Sequence, residues 1–118
     1  LLLSDGGEII VEVPNSNDIL LTLYNNKPFQ DFTYWSQHLF LFNASTMKML
    51  VKKAGLKLIW IKHIQRYPLA NHLYWLAEGK PDGHKQWNFM NMDRLNEQYE
   101  QQLASLGLTD TIIVGITV

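Results

Sequence analysis

Three short runs rich in β-branched residues, Glu8-Ile9-Ile10-Val11-Glu12-Val13, Leu56 to Ile64 and Thr111 to Val118, stand far apart in a chain whose other segments read as helix or loop. A sheet whose strands are joined through helical segments is an α/β architecture, neither a sandwich nor a helical bundle. The order along the chain is strand, loop, helix, strand, helical excursion, helix, strand. At 118 residues the chain has room for one core, since domains run to roughly 100–200 residues. Its 47% hydrophobic and 18% charged residues are sufficient to fill that core.

The first run is entered through Asp5-Gly6-Gly7 and left through Pro14-Asn15, and it reads as a buried strand. Ahead of it, Leu1-Leu2-Leu3-Ser4 reads as the last turn of a helix closed by glycine, whose body lies upstream of residue 1. Residues 16–30 read as a loop with local helix between Asp18 and Tyr24, ended by Asn25-Asn26-Lys27-Pro28. From Thr46, the apolar positions Met47, Leu50, Val51 and Ala54 follow helical spacing with Lys48, Lys52 and Lys53 opposite. Asn43 or Ser45 is available to cap that helix and Gly55 to end it. The second run, centred on Ile59-Trp60-Ile61, is apolar on both sides of its alternation, which predicts a strand packed on both faces. Leu69 to Ala77 has helical composition, and Lys80-Pro81-Asp82-Gly83 predicts a turn. A last helix is predicted over Asp93 to Leu106, with the stripe Leu95, Tyr99, Leu103 and Leu106 and the cap Gly107.

Several kinds of chemistry are excluded. The chain has no cysteine, which removes thiol nucleophiles, thiolate zinc sites and disulfides and fits a reducing compartment, so cytoplasm is the expected location. The four histidines, His38, His63, His72 and His84, are 25, 9 and 12 residues apart and form no HxxxH or HExxH pair. No GxSxG elbow, GxGxxG turn or GxxxxGK[ST] loop is present. No apolar run reaches the ~20 residues of a membrane span. The formal charge of −1 argues against nucleic acid as a partner, although residues 32–77 carry six bases and no acid. Those bases have two readings, an anion-attracting face or the solvated side of a helix and strand.

The aromatics are unevenly placed. Tyr24, Phe29, Phe32, Tyr34, Trp35, Phe40 and Phe42 are seven of the fourteen aromatics, gathered in 19 residues after the first strand. Phe29, Phe40 and Phe42 are expected to cover the end of the sheet. Ligands in open α/β sheets sit beyond the carboxyl ends of strands, so Phe32 to His38 could wall a pocket, with Tyr34 and Trp35 among the substrate-binding residues. His38 is the side chain there that exchanges protons near neutral pH, so it is the candidate general base, with a structural histidine as the alternative.

Residues 2–15, ending in Ile9-Ile10-Val11-Glu12-Val13-Pro14-Asn15, then His38-Leu39-Phe40-Leu41-Phe42-Asn43-Ala44-Ser45-Thr46-Met47 and Leu50-Val51-Lys52-Lys53-Ala54-Gly55-Leu56, resemble the back half of a class I S-adenosylmethionine-dependent methyltransferase. The family pattern is a helix end reading LLxPGG, a fifth strand ending in PN, then HxxxFsxxsL, and LLxxAGF leading into a sixth strand. Asp5 stands where the family has Pro, and Leu56 where it has Phe.

The resemblance implies the C-terminal part of a Rossmann-like methyltransferase sheet, its two final strands an antiparallel pair, with residues 67–89 as a helical or loop insertion. It implies that residues 1–118 are one partial domain, consistent with an opening at Leu1 without an initiator Met. The partner would be the N-terminal half of the same protein, where a glycine-rich turn holds S-adenosylmethionine. No cofactor is expected to bind this chain alone, which would be inactive by itself. Pro14 and Asn15 match the strand end that faces methyl transfer, and His38 matches a position near the substrate, a small or lipid-linked methyl acceptor. The exposed edge of strand 8–13 would favour a homo-oligomer. The alternatives are a non-catalytic interaction or oligomerisation module derived from that fold, and an anion or nucleic-acid binder using Lys48 to Arg66.

Overall fold

The computed structural model describes residues 3–34 and 40–118. Three strands, β1 (Ile9–Pro14), β2 (Lys57–Ile64) and β3 (Thr111–Thr117), form one sheet in the order β1-β3-β2. The last strand in sequence is the middle one in space, antiparallel to both neighbours. β1 and β2 therefore point the same way, and their carboxyl ends lie at one end of the sheet. Five helices complete the described chain, α1 (Lys27–Thr33), α2 (Ala44–Lys53), α3 (Leu69–Glu78), α4 (Gly83–Gln86) and α5 (Asp93–Leu106), with a single 3-10 turn at Asn88–Met90. The α/β class and the antiparallel pairing of the last two strands agree with the sequence reading.

Register explains which face is dry. Val11 and Ile61 both pair with Val114, and Leu58 pairs with Ile116, so these side chains share one face. Met47 and Val51 of α2 pack on that face with Val114 and Ile116, and Phe42 and Leu56 close its margin. Full burial of an aliphatic side chain contributes roughly 1.5–3 kcal/mol, so this cluster is the main anchor of α2 on the sheet. The helix starts where Asn43 accepts the N–H of Thr46 and the Thr46 hydroxyl accepts the N–H of Asn43, a reciprocal cap. On the opposite face Ile10 and Trp60 both pair with Gly115. A Cβ at Gly115 would overlap the Trp60 ring, which lies across the glycine and donates its indole N–H to Glu8.

Four expectations need correction. The first strand is an edge rather than a buried strand, and Ile10 is 64% exposed because no fourth strand or helix among the described residues covers it. β2 is covered on one face only, and a register shift between Leu58 and Trp60 turns Ile59 outward. Asn25-Asn26-Lys27-Pro28 starts a helix instead of ending one. Asn26 caps α1 by accepting the N–H of Phe29, and proline is tolerated in a first turn because its missing N–H has no helical partner there. Leu95 and Leu106 of the α5 stripe stay exposed, and Leu103 carries the burial of that helix. Ser4 to Gly7 form a turn closed by Gly7 N–H on the Ser4 carbonyl, while Leu1 and Leu2 lie outside the described residues.

Residues 67–89 hold α3, α4 and the start of the 3-10 turn. α3 buries Ala70, Asn71, His72 and Trp75. Trp75 meets Phe29 and Phe32 of α1 at ring separations of 5.1 and 5.2 Å, and Asn26 donates to the Trp75 carbonyl. Phe42 packs at the margin of the sheet as read, whereas Phe29 packs on Trp75 of α3 and Phe40 is 79% exposed.

Candidate functional site

β1 ends at Pro14, with Asn15 following. Asn15 is buried, and its amide donates to the carbonyls of Gly107 (3.0 Å) and Thr109 (2.8 Å) while its oxygen accepts the N–H of Asn17. It ties the end of β1 to the approach to β3. β2 ends at Ile64, and the next three residues wrap the carboxylate of Asp110, which immediately precedes β3. The backbone N–H groups of Arg66 and Tyr67 and the Gln65 amide all donate to Asp110 at 2.9–3.1 Å, and the Thr111 hydroxyl adds a bond of 2.8 Å. In return the Gln65 oxygen accepts the Asp110 N–H.

Beyond these strand ends lies a cleft of about 700 Å³. The sheet contributes Glu12, Pro14, Asn15, Asp110 and Thr111 to it, α1 contributes Phe29, Phe32 and Thr33, and α3 contributes Asn71 and His72. Asp18, Leu20, Leu21, Leu41, Arg66, Tyr67, Pro81 and Asp82 complete the wall. Its size and its mix of apolar wall with a few polar groups suit a small-molecule site. A smaller hollow of about 350 Å³ shares Arg66 and Tyr67, but its polar residues are largely bonded to one another or to nearby backbone, as Glu100 is to Gln65 and Asn96 to Asn91 and Leu69.

Three groups of the cleft, Asp18, Asp110 and His72, are displaced from their ordinary titration. Asp18 is pushed up to about 7, mainly because burial disfavours its charge; the Leu20 N–H it accepts opposes the shift, and the nearby Asp110 adds to it. Asp110 is also raised by burial, against the lowering effect of the donors that surround it and of the Arg66 charge. Burial lowers His72 to about 4, so it is neutral at physiological pH. Its tautomer follows from its partners. The Gln65 amide nitrogen lies 3.1 Å from His72 Nε2 with its two hydrogens directed at the Tyr67 carbonyl and the Asp110 carboxylate; an amide nitrogen cannot accept a hydrogen bond, so Nε2 is the unprotonated nitrogen. Nδ1 then carries the hydrogen and donates to Tyr99 at 2.8 Å, and the Tyr99 hydroxyl donates to Tyr24 at 3.1 Å. Burial and the Tyr24 contact raise the Tyr99 phenol.

Of the site residues read from the sequence, Pro14 and Asn15 line the cleft, though the Asn15 side chain is engaged in holding the loops. Tyr34 ends α1 with 57% of its surface exposed and is not among the lining residues. Trp35 and His38 lie outside the described residues. The sequence reading missed Asp18, Asp110 and the Gln65 and His72 pair. No motif marks them, because they meet only when the ends of three strands and α3 come together. Among the described residues no group of three or more histidine, aspartate or glutamate side chains could hold a metal ion, and no helix is long and apolar enough to cross a membrane. The basic residues Lys48, Lys52, Lys53, Lys57 and Lys62 are exposed on α2 and β2, away from the cleft lining.

No protein-family model, no curated protein and no solved structure matches the chain.

Proposed function

We propose that residues 1–118 form the acceptor side of a class I S-adenosylmethionine-dependent methyltransferase, a Rossmann-like sheet whose cofactor half lies elsewhere in the protein, and that the cleft holds a small methyl acceptor. The observation that carries this reading is the position of the cleft. It opens at Pro14 and Asn15, the strand end that the sequence resemblance ties to methyl transfer, and beyond the carboxyl ends of two co-directional strands, where open α/β sheets bind ligands. The antiparallel final pair β2 and β3 supports it as well.

The residues present do not fit the cofactor. The positive-φ glycines Gly6, Gly55, Gly79 and Gly107 sit at four separate turns and helix ends and form no shared cradle, so no residue here is assigned to hold S-adenosylmethionine. On this reading the chain binds and orients the acceptor, and its apolar wall keeps water away. Positioning of this kind is the main aid to a bimolecular displacement. The lack of cysteine favours the cytoplasm.

The test begins with the reading frame upstream of residue 1. A glycine-rich strand-turn-helix there, and S-adenosylmethionine binding by the longer product but not by residues 1–118, is the expected result. A frame without such a turn, or tight binding by residues 1–118 alone, overturns the proposal. A non-catalytic interaction module is the second reading, and the observation favouring it is β1 at a sheet edge with Ile9 and Ile10 exposed. A start codon next to Leu1 would select it.

A further inference from the structure

Among the described residues five charged side chains line the cleft, and four of them have partners. Arg66 donates to Glu12 from two guanidinium nitrogens, at 2.9 and 2.8 Å. Asp82 lies 3.6 Å from Lys85, and both oxygens of Asp110 accept hydrogen bonds from the Gln65 to Tyr67 turn. Asp18 is the exception. It is 4% exposed, one of its oxygens accepts the Leu20 N–H at 2.8 Å, and among the described residues the other oxygen receives no hydrogen bond and no cation pairs with the group. A buried carboxylate left in this state costs free energy that an incoming cation would offset. The same cleft has aromatic walls, with Phe32 and Tyr67 each more than half exposed and Phe29 packed beside Phe32 at a ring separation of 6.3 Å. Ring faces attract cations, and their apolar area suits the carbon skeleton of an organic one.

We propose that the cleft is a site for an organic ammonium ion, whose N–H donates to the free oxygen of Asp18 while its carbon skeleton lies against Phe29, Phe32 and Tyr67. Resting on the acceptor-side reading, the assignment names the acceptor class as an amine, bound as its ammonium ion, which must pass a proton to Asp18 or to water before its nitrogen has a lone pair for the methyl group. An anion is opposed by Asp18 and Asp110, and a neutral polyol would gain hydrogen bonds without an ion pair. The groups facing Asp18 are Asp110 at the start of β3 and Tyr99 of α5, the latter bonded to Tyr24 and to neutral His72 of α3. Glu12 of β1, Arg66 after β2 and Asp82 complete the charged lining. None of them supplies a positive charge directed at Asp18. Because Asp18 titrates near 7, ammonium binding should draw it into its charged form and release a proton.

Titration calorimetry on residues 1–118 tests this with phenethylamine, its neutral isostere 2-phenylethanol and the anion phenylacetate. Phenethylamine is expected to bind roughly tenfold or more tighter than either analogue. Its affinity should fall on going from about pH 8 to about pH 5.5, with proton release shown by two buffers of different protonation enthalpy. Asp18→Asn, whose amide oxygen can still accept the Leu20 N–H, should lose roughly tenfold or more in phenethylamine affinity while 2-phenylethanol is unaffected. If that variant does not fold, Phe32→Ala, at an exposed wall position, should weaken phenethylamine several-fold more than 2-phenylethanol. Equal binding of amine and alcohol, preference for phenylacetate, no amine binding, or an Asp18→Asn variant that binds like wild type overturns the assignment. Since S-adenosylmethionine takes no part, a failed titration overturns the amine site alone, and a failed upstream frame overturns the methyltransferase reading alone.

Discussion

Asn15 shows how much one side chain can hold. Its three hydrogen bonds are almost wholly shielded from water, and they bind the end of β1 to the Gly107 to Thr109 segment that leads into β3. Removing the side chain leaves two carbonyls and an N–H without their partner, and each unsatisfied buried group costs about 1–3 kcal/mol. Asn15→Ala should therefore lower stability by roughly 2–4 kcal/mol in urea unfolding. A loss below about 0.5 kcal/mol, the ordinary surface value, would show that the loops hold themselves. Asp18 and His72 act on stability in opposite directions with pH. Asp18 titrates near 7 in the folded chain against an ordinary 3.8, so the folded state binds its proton more tightly. Its contribution favours folding at low pH and is withdrawn as pH rises from about 4 to about 7. His72, lowered from 6.5 to about 4, favours folding above about 6.5, and that support is lost as pH falls toward 4. The two partly cancel in the wild type, and the Asp18→Asn variant separates them. It should gain on the wild type by up to about 4 kcal/mol between pH 4 and 7, then hold level, in a pH series of urea unfolding curves. A difference independent of pH would mean that Asp18 titrates normally. Asp110, also raised, is present in both proteins, but its repulsion of Asp18 is part of the Asp18 shift and is removed with it.

Among the elements, α1 and α3 depend on each other. Asn26 accepts the Phe29 N–H to start α1 and donates to the Trp75 carbonyl in the last turn of α3, so one residue caps one helix and ties it to the end of another. Asn26→Ala should cost about 1–2 kcal/mol and loosen Phe29 and Phe32 from Trp75, which tryptophan quenching by acrylamide would register. Asn26→Asp keeps the cap acceptor but not the donor, and it should recover only the first part of that loss. Gly115 plays a comparable part in the sheet. A methyl group there would push Trp60 off the strand and away from Lys62, whose ammonium lies 5.2 Å from the ring centre. Gly115→Ala should thus destabilise the chain by about 1–3 kcal/mol, the usual cost of forcing a methyl into a filled space. Unchanged stability and fluorescence would show that the ring has room to move.

For the whole molecule, the order β1-β3-β2 puts the best-buried strand at the centre and leaves β1 at a margin with Ile9 and Ile10 partly in water. Exposed apolar edges pair with other chains unless blocked by charge, so association that grows with concentration is expected in light scattering. Ile10→Lys should suppress it, and a wild type that stays monomeric at every concentration would count against it.

The α/β class, the termini of α5 and the Met47 and Val51 part of the α2 stripe, though not its exposed Leu50 and Ala54, could be read directly, because periodicity, caps and turn residues are local properties. Asn43 and Gly107 act where their positions predicted. Asn26-Lys27-Pro28 was ambiguous for a local reason as well, since the same residues that end one segment can cap the next. Tertiary structure decided the rest. Whether β1 is covered depends on what pairs beside it, and alternation within Ile9 to Val13 carries no information about neighbours. The charged state of Asp18 and the tautomer of His72 depend on burial and on partners up to 92 residues away in sequence for Asp18 and 27 for His72. Desolvation acts through space, so one sequence could set the elements of this chain while only their assembly made a cleft with a buried acid in its wall.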